Sequence, residues 1–360
     1  MGVKPGREGN PDITWEKATK YNVGLEFSLW NRLIAGEVDY FFEKRNNMLL
    51  SPGSSVPVEY GIALAQINAG EMQNQGIDFN LNSRKAFSNG LRVGLDFNFT
   101  FARNKMLEIF ENEVTANDPN RTRTGRPLGA FFGLEAIGLF QESDDVNGDG
   151  VIDAADGLPE QLLGGTVRPG NIRYKDINGD GVIDGTDETH IGYNEVPEII
   201  YSIIPSVSWK GFDFNMMLQG AGNTDLRLGE TLTNAIGINL NVLADKAMDS
   251  WTPENPDAKW NRLTTLGTTA NDASFNSWYL INAAYLRLKH VELGYTIPEN
   301  LISFASLRVY FSGTNLLTWS EPQRRGLFDA EVDDSSYSQA GRGNYHPQMK
   351  TFSFGVNLSF

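Results

Sequence analysis

The sequence predicts an all-β protein, an antiparallel transmembrane β-barrel of about nine or ten strands with long extracellular loops. The closing segment, residues 350–360, carries the clearest pattern, because large apolar and small polar residues alternate strictly. Its length suits a tilted strand that crosses a bilayer in roughly 9–11 residues, with lipid on one face and a wet lumen on the other. The apolar positions are Phe352, Phe354, Val356, Leu358 and Phe360.

Alternation and loop length support the same fold class across the rest of the chain. The connections near 30–33, 86–90 and 210–212 are tight, whereas 105–131, 141–196, 223–282 and 318–348 are long and polar. Compact soluble domains rarely carry several loops this long, but outer-membrane barrels combine short turns with long loops. A soluble sandwich would alternate in the same way. Further alternating segments are 21–29, 38–42, 77–82, 91–102, 201–209 (with a bulge or edge-like spot expected at Pro205), 212–218, 285–295 (with a register break near His290) and 307–311.

Composition excludes several classes of function. The formal net charge of −15 argues against a nucleic-acid partner, and the absence of cysteine excludes disulfides and thiol chemistry. No nucleophile elbow, P-loop or HExxH motif occurs, so the sequence predicts no enzyme. A glycoside hydrolase would need two carboxyl groups close together, one as acid and one as nucleophile. Carboxylates are plentiful here, but the sequence does not show which of them lie close together. No apolar run is long enough for a transmembrane helix, and the N-terminus is not a signal peptide, so we expect a piece of a longer chain.

Two acidic segments, 145–156 and 176–187, fit the pattern of a calcium loop. Oxygen-bearing residues fall at loop positions 1, 3, 5, 9 and 12, with glycine at position 6, and both copies end in Val-Ile-Asp-x-x-Asp. Aspartate replaces the usual glutamate at position 12, and an Asp/Asn/Gly-rich turn without metal is the alternative. The motif indicates that the divalent cation would be calcium, and we expect its role to be structural. The candidate ligands are Asp145, Asn147, Asp149, Asp153 and Asp156, and Asp176, Asn178, Asp180, Asp184 and Asp187.

Four aromatic residues in or beside the connection 223–282 are candidates for substrate or partner contact. Exposed aromatic rings can stack on sugars or pack on a partner protein. The alternative is that they anchor the core of the loop itself or lie at the membrane interface. The residues are Trp251, Trp260, Trp278 and Tyr279.

Motifs spread over nearly the whole chain resemble one family, the SusC/RagA-type TonB-dependent transporters of Bacteroidetes-like bacteria. No single motif is specific, but the set is. The matching segments are 10–19 (NPDITWEKAT) leading into 21–26 (YNVGLE), 74–78 (NQGID), 133–141 (GLEAIGLFQ), 169–176 (PGNIRYKD), 285–289 (YLRLK), 294–295 (GY), 313–319 (GTNLLTW) and the closing strand.

The resemblance implies a location in the outer membrane and a 22-stranded barrel that contains a plug. It also implies TonB-driven import of an oligosaccharide, a peptide or another large nutrient, with a SusD-like surface lipoprotein as partner. Residues 1–360 would then be the C-terminal portion of the barrel, with 141–192 as a calcium-type insertion. The plug, the TonB-contacting region and the N-terminal half of the barrel would be absent from this chain.

The resemblance also implies a role for the closing strand. Phe360 and the apolar row behind it would be the signal that the barrel-insertion machinery reads, and the apolar face would contact outer-membrane lipid. The alternative function is a soluble, calcium-stabilised, β-rich protein that binds carbohydrate.

Overall fold

The computed structural model describes residues 9–52, 64–229, 233, 242–264, 270–298, 300–301, 305–331 and 348–360. Nine long strands form one antiparallel sheet in which each strand pairs with its neighbours in chain order. The prediction of about nine or ten antiparallel strands is therefore confirmed. The strands are β1 Lys17–Leu29, β2 Ile34–Leu50, β3 Ile67–Ala86, β4 Arg92–Glu108, β5 Ile199–Trp209, β6 Phe212–Gly222, β7 Tyr285–Thr296, β8 Ser306–Ser320 and β9 Thr351–Ser359.

The register converts the alternation along each strand into two continuous faces of the sheet. On the apolar face, directly opposed residues form the rows Val23–Tyr40–Ile77–Phe101–Ile199 and Trp209–Phe212–Tyr295–Val309–Val356. On the polar face, one row runs unbroken across eight strands as Glu26–Glu37–Asn80–Asn98–Ser202–Gln219–Arg287–Thr318. Such a sheet is suited to lipid on one side and water on the other.

Turns and irregularities in the sheet follow local sequence. Lys210 and Gly211 both have positive φ, 50° and 87°, as a two-residue type I′ hairpin turn requires. The predicted register break near His290 is confirmed, since the β7–β8 register shifts between Leu288 and His290. Pro205 lies in a central strand, not at an edge, and pairs with Leu95 of β4. The β5–β6 ladder is interrupted beside it, because proline has no N–H to donate.

The long connections all leave the same end of the sheet and contain short elements of their own. The short strand pairs are Phe132–Gly133 with Thr189–His190, Ala136–Leu139 with Ile172–Tyr174, Asp225–Arg227 with Leu280–Asn282, and the parallel pair Glu160–Gln161 with Val182–Ile183. The helices are Glu113–Ala116, Ala244–Met248, Ala270–Ala273 and Glu321–Arg324, and single 3₁₀ turns are Glu142–Asp144, Ala154–Asp156, Gly185–Asp187 and Ser277–Tyr279.

The apolar core of the described residues lies in these connections and not against the sheet. Its main cluster joins residues from 134–183 to residues from 226–283. We call the folded part of these two connections the loop module. The predicted insertion 141–192 therefore does not stand apart, because it shares this core with the following connection.

The apolar face of the sheet remains uncovered by the described residues. Val23 of β1 is 72% exposed and Phe354 of β9 is 74% exposed, although both lie on the apolar face. A soluble sandwich would bury one face against a second layer, which is not the arrangement of the described residues. β1 and β9 each have one neighbour, so the sheet is open. Among the described residues, no helix is both long and apolar enough to cross a bilayer.

Candidate functional site

The first acidic loop, residues 145–156, closes around the carboxylates of its first and last positions. Asp145 accepts hydrogen bonds from the backbone amides of Gly148 (2.8 Å) and Gly150 (2.7 Å). Asp156 accepts from the amides of Val146 (2.8 Å) and Asp153 (3.0 Å). Gly150, at loop position 6, has φ 79°, so the sharp turn there needs glycine.

The second acidic loop, residues 176–187, repeats this conformation. Asp176 accepts from the amides of Gly179 (2.6 Å) and Gly181 (2.9 Å), and Asp187 accepts from those of Ile177 (2.8 Å) and Asp184 (3.0 Å). At position 3 of each loop, the side-chain amide donates to the carboxylate at position 5: Asn147 to Asp149 at 3.1 Å and Asn178 to Asp180 at 3.0 Å. In both loops the first and last carboxylates thus accept backbone amides of the loop, and the side chains at positions 3 and 5 contact each other.

Each acidic loop is fixed to the protein by the isoleucine at its eighth position. Ile152 is buried with Phe140 and Val167, and Ile183 is fully buried in the core of the loop module. Burial of one large apolar side chain is worth roughly 1.5–3 kcal/mol, so the loops are held in place rather than solvated freely.

The chemistry of the donor set suits a hard divalent cation. Amide donation from Asp153 lowers the pKa of Asp156, and the hydroxyl and amide of Thr186 lower the pKa of Asp184, so both carboxylates are ionised at neutral pH. Within the described residues, however, no three Asp, Glu or His groups converge in a geometry ready for a metal. The carboxylate oxygens accept backbone amides instead, and an ion would have to draw them inward.

Burial corrects the expectation that the four aromatic residues contact a substrate or partner. Trp260 is 1% exposed, Tyr279 is 5% exposed and Trp251 is 8% exposed, and Trp278 packs against the same core. The indole N–H of Trp260 donates to Asp245 (2.8 Å), and that of Trp251 donates to Gln141 (3.0 Å). Trp251, Trp260 and Tyr279 anchor the loop module, as the alternative interpretation has it, whereas Trp278 is only partly buried.

A buried polar network that no sequence motif predicts joins the two halves of the loop module. Asp272 is fully buried and accepts from the side-chain amides of Asn171 and Asn261, each at 2.7 Å, and from the backbone amide of Ile172 at 3.0 Å. Neutral donors can stabilise a buried carboxylate when they satisfy its oxygens. No sequence signal marks this network, because Asn171 and Ile172 lie about a hundred residues from Asp272.

The polar face of the sheet carries both paired and unpaired charges. Arg308 of β8 bridges to Asp213 of β6 and to Glu292 of β7 (2.6 Å), and Arg84 of β3 pairs with Asp96 of β4 (2.5 Å). Across β1 to β3, in contrast, like charges oppose each other: Glu26 faces Glu37 and Asp39 faces Asp78. Such pairs are tolerated where water or a basic partner reaches them.

The candidate assembly residues of β9 all lie on the apolar face. The register pairs Leu358, Val356 and Phe354 with Leu307, Val309 and Phe311 of β8. Their side chains and those of Phe352 and Phe360 are at least half exposed in this open sheet. The other edge of β9 has no partner strand among the described residues.

An open antiparallel sheet with one apolar face, one polar face and all long loops at one end defines a segment of a transmembrane β-barrel. The chain belongs to the TonB dependent receptor-like, beta-barrel family, whose model matches residues 2–316. It is therefore part of an outer-membrane protein. The family confirms the prediction that the chain is not an enzyme.

Similar proteins give the same assignment. TonB-dependent receptor P26 of Formosa agariphila is 28% identical over 381 residues, which cover 100% of this chain and 36% of that protein. TonB-dependent receptor SusC of Bacteroides thetaiotaomicron is 24% identical over 364 residues, which cover 98% of this chain and 32% of that protein. The chain thus spans about a third of the length of the curated relatives it matches.

Solved structures are similar in fold. The RagAB peptide transporter matches with a TM-score of 0.71 at 23% identity, covering 98% of this chain and 36% of that chain. The RagAB peptide importer in its open-open state matches with a TM-score of 0.70 at 24% identity, covering all of this chain and 36% of that chain.

Proposed function

We propose that this chain is the C-terminal part of the barrel wall of an active importer, driven by TonB, that takes up an oligosaccharide or another large nutrient. The observation that carries the proposal is the unbroken polar row across eight strands, backed by an apolar face on the same strands. A wall of this kind separates lipid from a wet lumen that a polar solute can cross. TonB would act through the region N-terminal to the segment described.

A SusD-like lipoprotein on the cell surface is the proposed partner. The long connections form a folded loop module at one end of the sheet, which gives such a partner a defined surface to meet. RagAB is a peptide transporter, or peptide importer. Peptide therefore stands beside oligosaccharide as the cargo. The soluble carbohydrate-binding alternative loses its support, since the apolar sheet face is uncovered and the family is an outer-membrane family.

The test is uptake by cells that carry the full-length transporter containing this segment. Labelled oligosaccharides and labelled peptides are supplied separately, in strains with and without a functional TonB complex. We expect uptake of one class, lost without TonB, and co-purification of a surface lipoprotein. Uptake that survives the loss of TonB would contradict active import, and a transporter that purifies alone would contradict the partner.

We further propose that both acidic loops bind a structural divalent cation, calcium by the chemistry of the oxygen donors. The supporting observations are the shared conformation of the two loops, the lowered pKa values of Asp156 and Asp184, and the buried isoleucine that anchors each loop. Asp145, Asn147, Asp149, Asp153 and Asp156 would hold one ion, and Asp176, Asn178, Asp180, Asp184 and Asp187 the other. The ion would offset the repulsion among clustered carboxylates.

The closing strand is proposed as the assembly signal. An aromatic terminus, Phe360, behind the apolar row from Phe352 to Leu358 offers the barrel-insertion machinery an edge that no described strand pairs with. The same edge would close the barrel against its first strand. Deletion of residues 352–360 from the full-length transporter should abolish its assembly, whereas substitution of the polar-face residue Asn357 by Ser should not.

A further inference from the structure

Residues 321–331, which we call the strap, run from the end of β8 along the loop module. On the side of the loop module, Arg325 pairs with Asp245 at 3.3 Å, and its guanidinium lies 4.7 Å from the centre of the Trp260 ring. Leu327 and Phe328 pack against the core of the loop module. The first part of the strap is therefore built into that module.

The second part of the strap is bound to the barrel wall through one buried arginine. Arg287 of β7 is fully buried and donates to Asp329 and to Glu331, the latter at 2.5 Å. Lys289 of β7 adds a pair with Glu331 at 2.7 Å. Arg287 belongs to the polar row of the sheet, so the strap lies on the polar face. The strap is thus a short link between the wall and the loop module.

Two buried polar atoms beneath the strap have no hydrogen-bond partner in the described protein. Nε of Arg287 and Oδ1 of Asn315 are both inaccessible to solvent and accept or donate no hydrogen bond. The two residues line a cavity of about 190 Å³ between the strap and the strands, together with Thr318, Phe328 and Asp329. Unsatisfied buried groups cost free energy that hydration would recover.

Two free-energy contributions of opposite sign therefore act on the contact between the strap and β7. Two carboxylates on one desolvated guanidinium hold the strap closed, since separating a buried ion pair leaves an uncompensated charge. The unsatisfied atoms beside them favour an opening that admits water.

We propose that the strap is a releasable latch between the barrel wall and the loop module. When it opens, Asp329 and Glu331 leave Arg287, and water reaches Nε of Arg287 and Oδ1 of Asn315. The loop module then loses its side-chain link to the polar face of β7 and stays joined to that strand only through the chain at residues 282–285. The nine-stranded sheet stays intact, because no strand pairing depends on the strap. The latch would set how far the loop module can move over the polar face, whatever the cargo.

Hydrogen–deuterium exchange of the full chain in detergent micelles, read by mass spectrometry, tests the latch. In the native chain, strap amides should exchange about tenfold faster than those of β7 and β8, since the strap opens without the sheet. Arg287→Met should raise strap exchange about a hundredfold, with a parallel rise in residues 243–263 and none in β1–β4. Lys289→Met is the matched control and should change strap exchange little, since Lys289 is half-buried and pairs with Glu331 alone.

Two further variants keep the test decisive. Glu331→Gln removes one of the two carboxylates and should raise strap exchange less than Arg287→Met; it decides the question if Arg287→Met does not fold. Arg287→Met combined with Asp329→Leu should restore protection, because an apolar pair can replace a buried ion pair. Native strap amides as protected as those of β7, or unchanged strap exchange in a folded Arg287→Met or Glu331→Gln chain, would overturn the proposal.

Discussion

Substitution of Val356 by Arg in the closing strand tests which face of the sheet meets lipid. Val356 lies on the apolar face, directly opposite Val309 of β8. If that face contacts hydrocarbon, a guanidinium there must be desolvated or must drag water into the bilayer. The cost depends on how deep in the bilayer the residue lies.

For a strand centred in the bilayer, the length of β9 sets that depth. β9 has nine residues. With a rise of about 3.3 Å per residue and a tilt of roughly 40°, the strand spans approximately 23 Å, close to the ~25 Å apolar band of an outer-membrane barrel. Val356 is one residue from the central Gly355, so it lies roughly 2.5 Å from the midplane. At that depth arginine costs about 2–4 kcal/mol.

The assay is reversible unfolding in urea of the full-length transporter in lipid vesicles, supported by surface levels in cells. Ser353→Arg is the matched control, since Ser353 lies on the polar face, opposite Ser312, at nearly the same depth. It should cost little, as should Asn357→Ser. If Ser353→Arg were as damaging as Val356→Arg, the faces would be assigned the wrong way round. The lipid-facing interpretation of the other eight strands would then fall with that of β9.

The loop module supplies three further predictions. Calcium at a hundred times its dissociation constant should stabilise the module by about 2.7 kcal/mol. The double substitution Asp149→Ala and Asp180→Ala should abolish that gain, measured by thermal unfolding of the full chain with calcium or with a chelator. If calcium shifted the melting curves of the native and the substituted chain equally, bound metal at these loops would be contradicted. Trp260→Ala should cost the module roughly 3–5 kcal/mol, seen as faster proteolysis, while Trp209→Ala, on the apolar face of the sheet, should leave the module unchanged. Burial lowers the pKa of Lys246 from 10.5 to about 8, so the unfolded chain binds more protons between those values and module stability should rise with pH across that window. The gain is at most ~3 kcal/mol, and its pH slope should disappear in Lys246→Met; an unchanged slope would assign it to other groups.

The sheet was predictable from the sequence because each strand carries its own pattern. Alternation with period two is local, so Tyr21 to Leu29 or Phe352 to Phe360 identifies a strand and its apolar face without knowledge of its neighbours. Pro205 was harder to place, because its missing N–H shows only that a ladder is interrupted and not that the strand is central.

The loop module was not predictable in the same way. Its contacts join residues with no common period, such as Asn171 to Asp272 and Gln161 to Asn271. The sequence does not show whether Trp260 is exposed to a sugar or buried. In the structure it is buried, and the ammonium of Lys246 lies 5.3 Å from the centre of its ring. The two acidic loops lie between these cases. Their motif predicted the turn at each glycine, but the burial of Ile152 and Ile183 became visible only with the fold.

Buried charges are distributed unevenly between the sheet and the loops, so substitutions in these two parts should have different effects. In the sheet, charges such as Arg84 and Asp96 remain in contact with water, and screened pairs of this kind contribute little. Arg287 of β7, beneath the strap, and Lys246 and Asp272 of the loop module are fully or nearly fully buried, so the removal of one partner leaves a charge that cannot be solvated in place. Substitutions elsewhere in the sheet should therefore act through lipid contact and assembly. Substitutions at these three buried charges should act through local opening of the loops at the mouth of the barrel, with the strands still paired.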